Sequence, residues 1–280
     1  MELTLTAPAK VNLHLKVLGR RPDGYHELVT LMQPLSLGDE LMLSDQADGL
    51  EFSCDDPALV ENNLVTRAAR AFFSAAGLPP RARLHLVKRV PVAAGLGGGS
   101  SDAAAALLGL NRLHGQPLTP TALWDLARGL GADVPFFLGR VTALCSGVGE
   151  LVEPWPGYPL LDYVLVNPGL AVSTAWVYGQ FDLAWTKTHG RHRINRSLSR
   201  TLPLAEVLVN DLELVTARAH PELARIKKAL LEEGAWGALM SGSGPTVFGV
   251  FAEARAAEHA ARRLAGMNNW WVRSCRGIGA

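Results

Sequence analysis

The sequence predicts an α+β protein of two domains, and three observations carry that expectation. The chain has 280 residues, about twice the usual ~150 of one domain. Stretches of strand period and helix period follow one another without a regular βα alternation. The composition is 48% hydrophobic and 19% charged with 28 Gly and 17 Pro, which excludes disorder, coiled coil and collagen and leaves a turn-rich globular chain.

The elements are read in chain order. Val11, Leu13, Leu15 and Val17 alternate with Asn12, His14 and Lys16, the period of a half-buried strand. A second strand is expected over residues 83–90, feeding a glycine-rich loop. Ser100, Ser101 and Asp102 then precede a helix over 103–113. A further helix is expected over 120–130, ending near Gly129 and Gly131, and Asp133 with Pro135 marks the start of another. In the second half, 162–166 reads as a strand, 205–220 and 221–233 as helices with Gly234 as the cap, and 237–241 and 246–251 as strands around Gly242–Pro245. A helix over 252–265 and a strand over 270–275 close the chain. The proline-rich stretch 153–159 is the expected linker, giving domains 1–156 and 157–280.

Charge and cysteine usage narrow the function classes. Lys plus Arg total 27 against 26 Asp plus Glu, so no field of one sign would draw nucleic acid or anionic lipid, and an anionic ligand must be held locally. Cys54, Cys145 and Cys275 are odd in number and have no CxxC spacing, against a disulfide framework or a zinc site; a reducing cytoplasm is the simplest setting. Glu2 and Lys10 leave no apolar run for an export signal. The charge-free runs 163–181 and 234–252 are broken by Pro, Gly, Ser or Thr, so no membrane span is expected. The run 187–200 holds five basic residues, two His and no acid, and reads as a solvated loop.

The sharpest local signal is PVAAGLGGGSSD at 91–102. Glycine permits φ > 0 and close approach, so backbone N–H groups can turn inward around phosphate oxygens, and a following helix N-terminus adds its dipole. Alone, the loop is also compatible with a turn that packs strand on helix. A Rossmann fingerprint fits poorly, with Ser100 at its last glycine and no acid about 20 residues on, and no Gly-Lys pair exists for a Walker A loop. Zincin and GxSxG patterns are missing too. Asp133 alone could be only a helix N-cap, Lys10 and Asn12 a solvated strand face, Tyr25 and His26 part of a surface loop after Pro22-Asp23-Gly24, and GSGPTVF only a hairpin turn.

Taken together, PAKVNLHL at 8–15, PVAAGLGGGSSDAAA at 91–105 and MSGSGPTVF at 240–248 resemble the three ordered motifs of the GHMP small-molecule kinases. GRRPDGYHEL at 19–28, NLVTRAAR at 63–70, LGADVPFFL at 130–138 and NDLE at 210–213 resemble, within that superfamily, the kinases that act on 4-diphosphocytidyl-2-C-methylerythritol. The resemblance implies a ribosomal protein S5 domain 2-like N-terminal domain with a left-handed βαβ unit and a ferredoxin-like C-terminal domain. It implies transfer of the ATP γ-phosphoryl to the 2-hydroxyl of a cytidine-diphosphate-linked small molecule, in non-mevalonate isoprenoid synthesis. Neither nucleic acid nor membrane is an expected partner, and a monomer or weak homodimer is the expected state.

By the same resemblance, Asp133 is the catalytic acid-base residue and Lys10 its partner. Asn63, Lys88 and the loop Pro91, Val92, Ala93, Ala94, Gly95, Leu96, Gly97, Gly98, Gly99, Ser100 and Ser101 hold ATP. Asn12, Tyr25, His26, Met32, Tyr178, Gly242, Ser243 and Gly244 face the second substrate, with Tyr25 and Tyr178 stacking about the cytosine and His26 on its edge. Mg²⁺ is expected with the triphosphate, with Ser100 or Ser101 assisting its placement and its ligands unassigned. Met32 stands where the family often has an aromatic residue, and Ala93 replaces a common glycine.

Overall fold

The computed structural model describes residues 1–182 and 204–279, so the basic run 187–200 lies outside the described residues. The mixture is α+β as expected, in two compact units. The first comprises residues 1–9, 37–91 and 97–140, and the second residues 10–36, 92–96 and 141–280. Strands β1 (Glu2–Arg20) and β2 (His26–Ser44) divide between them.

In the first unit, β3 (Leu50–Cys54) lies parallel to β4 (Ala82–Val87), which runs antiparallel to residues 40–44 of β2. The crossover between β3 and β4 is α1 (Leu64–Ala76). Its buried Val65, Ala68, Ala69, Phe72 and Phe73 recur at the 3–4 spacing of one helical face. Asn63 Oδ1 accepts from Val65 N at 2.9 Å, and Gly77 ends the helix in the left-handed region at φ +65°. Helix α2 (Gly98–Leu113) begins earlier than expected. Gly98, Gly99, Ser100, Ser101 and Asp102 form its first turn rather than preceding it, with Gly97 at the N-cap. Thr119 caps α3 (Pro120–Leu130), and α4 (Val134–Gly139) follows Asp133.

In the second unit, β5 (Ala143–Gly147) pairs antiparallel with β2 and with β6 (Leu151–Pro154). The expected linker is thus partly strand, and Trp155 after it is buried, its N–H donating to Thr142 O at 2.7 Å. Strands β7 (Asp162–Asn167), β9 (Gly237–Met240), β10 (Val247–Phe251) and β11 (Trp271–Arg276) form an antiparallel sheet in the order β11-β7-β10-β9. Helix α5 (Thr174–Gln180) follows β7, and α9 (Ala254–Ala265) joins β10 to β11. The βαββαβ order and this strand order are those of a ferredoxin-like domain. Val164, Val166, Met240, Val247 and Phe251 of the sheet share one core with Leu223, Ile226 and Leu230 of α8 (Glu222–Glu232) and with Ala257, Ala260 and Leu264 of α9.

The helix expected over 205–220 is broken in two. Helix α6 (Leu204–Val207) and α7 (Glu213–Ala219) are separated by the short strand β8 (Val209–Asn210), which pairs parallel with β1 at His14 and Leu15. The break has a cause: Asp211 N donates to Leu15 O and Val17 N donates to Asp211 Oδ2, so this backbone bonds to β1 instead of continuing a helix.

Candidate active site

Lys10 and Asn12 are two residues apart on β1, so their side chains leave the same face. Both are nearly fully buried, and a buried cation needs oxygen partners. Lys10 Nζ donates to Asn12 Oδ1 at 2.6 Å and to the Gly95 carbonyl at 3.0 Å. Ser241 Oγ donates to the same Gly95 oxygen at 2.9 Å. Three segments far apart in sequence therefore meet at one carbonyl. Asn12 Nδ2 donates to Thr30 Oγ1 at 2.8 Å, and that hydroxyl donates to His14 O at 2.6 Å. This chain fixes the amide orientation and turns Oδ1 toward the ammonium.

Glycine is required where these segments touch. Gly95 has φ +75°, and a Cβ there would lie 2.1 Å from Ser241 O. Gly242 has φ +56°, and its Cβ would lie 3.3 Å from both Lys10 Nζ and Asn12 Oδ1. Lys10 N donates to Leu96 O, and Thr246 N to Ala94 O. Ala93 adopts φ +51°, the left-handed region that explains why glycine suits that position. Val92 is exposed and Leu96 buried.

Also in the second unit, the His26 ring stacks on Tyr178 with centroids 5.2 Å apart at 29°, while Phe181 meets His26 edge-on at 6.2 Å. Burial, with the Arg20 charge adding to it, lowers the His26 pKa. Neutral imidazole carries one N–H donor and one nitrogen acceptor. Tyr25 lies outside this stack and is largely exposed, and Met32 is fully buried on β2 opposite Ala143. Ser243 Oγ hydrogen-bonds Thr174 Oγ1 at 2.9 Å.

In the first unit, Lys88 Nζ lies 2.5 Å from Asp39 Oδ2 and 2.8 Å from Asp102 Oδ2. Burial alone would lower the Lys88 ammonium, but the two carboxylates outweigh it and raise its pKa. Asp39 Oδ1 also accepts from Arg89 N at 2.6 Å and Val90 N at 2.8 Å, while Asp102 Oδ1 is buried with no hydrogen-bond partner among the described residues. One lysine serves two carboxylates, and burial pushes the less supported Asp102 up to about 7. A Cβ on Gly98 would lie 3.3 Å from Asp39 Oδ2 and Lys88 Nζ, so the cluster packs directly under the first turn of α2. Gly97, at φ +71°, caps that helix without a side chain, and Ser101 Oγ is buried with no hydrogen-bond partner among the described residues. Pro91, Gly99 and Ser100 complete this end of the loop. Asn63 spends its side chain on Val65 N and Leu59 O. Asp133 has φ −84° and ψ −12° and makes no capping hydrogen bond.

The signature "GHMP kinases N terminal domain" matches residues 63–140, and "GHMP kinases C terminal" matches 194–269. A curated 4-diphosphocytidyl-2-C-methyl-D-erythritol kinase of Geobacter metallireducens is 44% identical over 279 residues, 99% of each chain. The protein of that name from Syntrophotalea carbinolica is 47% identical over 267 residues, 94% of this chain and 95% of its own. The chain belongs to the 4-diphosphocytidyl-2-C-methyl-D-erythritol kinase family of GHMP kinases.

A crystal structure of 4-(cytidine 5'-diphospho)-2C-methyl-D-erythritol kinase superposes with a TM-score of 0.86 at 40% identity, covering 99% of this chain and 100% of that one. Homoserine kinase from Cytophaga hutchinsonii, at 21% identity and TM-score 0.75 over 99% of this chain and 95% of its own, shares the fold. Sequence reasoning within the family picture gave no role to Asp39, Asp102, Thr30, Ser241 or Asn210. Asp102, Asn210 and Ser241 stood inside quoted motifs. Asp39 offered only an acid after Gly38 in an apolar run, whose partner Lys88 is 49 positions away.

Proposed function

We infer that this chain transfers the γ-phosphoryl of ATP to the 2-hydroxyl of 4-(cytidine 5'-diphospho)-2-C-methyl-D-erythritol, giving the 2-phosphate and ADP, a step of non-mevalonate isoprenoid synthesis. One observation carries the reading: Lys10 Nζ and Ser241 Oγ both donate to the carbonyl of Gly95, so the three GHMP motifs converge on the glycine loop. The close relatives named for this reaction supply the substrate class.

The residues have these roles. Gly97, in the left-handed region at the start of α2, and the N–H groups of the first turn of that helix suit triphosphate oxygens. Asn63 and Lys88 serve the nucleoside or phosphates, the ammonium keeping a third N–H beyond its two carboxylates. Asp133 orients the 2-hydroxyl and accepts its proton late, as the oxygen–phosphorus bond forms and the bond to ADP breaks. A carboxylate is too weak a base to make a free alkoxide beforehand, but a loose transition state does not need one. Lys10 orients Asp133 and offsets negative charge on the transferred group, with Asn12 holding Lys10. Tyr178 and Tyr25 supply flat surfaces for the cytosine, neutral His26 its hydrogen-bonding edge, and Met32 with Gly242, Ser243 and Gly244 the remaining wall.

Mg²⁺ neutralises triphosphate charge when bound. Ser101 Oγ, a hard oxygen without a hydrogen-bond partner among the described residues, and Ser100 fit its preference. We place the enzyme in the cytoplasm as a monomer or weak homodimer, without nucleic-acid or membrane partners. No helix among the described residues is long and apolar enough to cross a membrane. We keep 1–156 and 157–280 as the proposed domain division on the ground that each matched signature falls within one part, although the compact units divide the chain at other positions.

The deciding experiment measures ATP-to-ADP turnover with Mg²⁺ on the cytidine substrate, mevalonate, homoserine and galactose under one set of conditions. Selective turnover of the cytidine substrate is expected. Preference for another alcohol overturns the substrate, and no turnover with any overturns the kinase.

A further inference from the structure

We propose that Asn210 is a positioning residue for the phosphoryl-transfer site, holding the loop 240–244 in register against Lys10 and the Gly95 carbonyl. The proposal rests on the kinase reading above and adds a role for the NDLE segment, 210–213. Asn210 is buried at the end of β8. Its Nδ2 donates to Met240 O at 2.7 Å and to Gly242 O at 2.8 Å, and its Oδ1 accepts from Leu212 N at 3.0 Å. Two carbonyl acceptors on one end and an N–H on the other leave the amide a single orientation.

The two carbonyls flank Ser241, whose hydroxyl shares the Gly95 oxygen with Lys10. Asn210 therefore grips the backbone on both sides of the residue that joins the third motif to the first two. Its neighbours reinforce the grip. Thr216 Oγ1 donates to Ser243 O at 3.1 Å, and Glu213 Oε2 accepts from Met240 N at 2.8 Å. Glu213 is itself paired with Lys227. Three side chains from 210–216 thus hold residues 240, 242 and 243.

Position matters here because Gly242 already approaches Lys10 Nζ and Asn12 Oδ1 so closely that a Cβ would press on both. A small shift of this loop moves the ammonium and the Gly95 carbonyl together. Aspartate cannot substitute: a carboxylate has no donor for two carbonyls and would face them with like charge.

The test compares Asn210→Asp and Thr216→Val with a matched control, Asn111→Asp. Asn111 is also buried and also cross-links backbone, bonding Leu118 N and O from α2, but plays no part in the site. Rates are measured with ATP and the cytidine substrate at a temperature below every thermal midpoint. Asn210→Asp is expected to lower kcat about 10- to 100-fold and Thr216→Val several-fold, while Asn111→Asp stays within about twofold despite a comparable fall in Tm. If Asn210→Asp and Thr216→Val keep wild-type kcat, or if Asn111→Asp loses as much, the proposal is overturned. Should Asn210→Asp not fold, Thr216→Val against Asn111→Asp decides it. Wild-type turnover of a different alcohol overturns the substrate reading instead, and the same three variants are then compared on that alcohol.

Discussion

Asp133 immediately precedes α4, yet its backbone is helical at φ −84° and ψ −12° and it makes no capping hydrogen bond. A capping residue would sit in the extended region with its oxygen on an N–H of the first turn, so capping does not account for this acid. Asp133→Asn keeps the shape and removes the carboxylate proposed as the proton acceptor. Its expected effect is a fall in kcat of about 10² to 10⁴ with ATP affinity nearly unchanged, read from steady-state rates and nucleotide titration. Wild-type turnover in that variant would remove Asp133 from catalysis. Tyr178, proposed to stack on the cytosine, is tested in the same way. Its ring lies against His26 at 5.2 Å, and Tyr178→Ala should raise KM for the cytidine substrate by an amount equivalent to roughly 1–3 kcal/mol of stacking. An unchanged KM would place the base elsewhere.

Elements differ in what a glycine does for them, and two glycines with similar backbones make the contrast. Gly77 caps α1 at φ +65° with no atom within 4 Å of a Cβ, whereas Gly95 at φ +75° would put its Cβ 2.1 Å from Ser241 O. Gly77→Ala should cost about 1 kcal/mol of stability and leave activity intact. Gly95→Ala must displace the loop and should lower turnover by about 10² or more; initial rates beside thermal melts separate the two, and a fully active Gly95→Ala enzyme would refute the close approach. The same distinction between local and distant causes explains what the sequence made legible. Helix α3 matches its expected limits because Thr119, Pro120 and the apolar spacing are local signals, and β7, β9, β10 and β11 lie within a residue or two of expectation. Strand β2 escaped, since Leu31, Met32, Gln33, Pro34 and Leu35 are buried consecutively and show no alternation to read. Helix α1 did carry a legible signal, Asn63 followed by a 3–4 apolar face, within a segment read only as a motif. The split at β8 could not be read, because Asn210 and Asp211 answer to residues 240, 242, 15 and 17. In the site, Lys10, Asn12 and the glycine loop were legible inside motifs, while Asp39 depends on partners about 50 positions along the chain.

For the molecule as a whole, the pH dependence of folding offers a test that needs no substrate. His14 on β1 is fully buried. Its Nδ1 lies 3.0 Å from Val207 O; a carbonyl only accepts, so Nδ1 carries the proton and Nε2 is left as a bare lone pair with no partner among the described residues. Charging the ring would bury an N–H with no acceptor. Burial is the largest influence and lowers the pKa from 6.5 to about 4, opposed by the Val207 hydrogen bond and aided by the Lys16 charge. The unfolded chain has no such constraint and takes up the proton near pH 6.5. Between those two values the unfolded state binds more protons than the folded one, so stability falls as pH falls. The loss should begin near pH 6.5, grow toward pH 4 and level off below it, reaching about 3 kcal/mol at its limit. Carboxylates titrate in the same range, so the measurement is a difference. His14→Asn keeps a donor for Val207 O and cannot be charged. Urea unfolding of both proteins from pH 7 to pH 4 should show the wild type losing its advantage over the variant as acid is added. Curves that stay parallel across that window would show that His14 titrates normally in the folded protein, and that its Nε2 finds an acceptor when protonated.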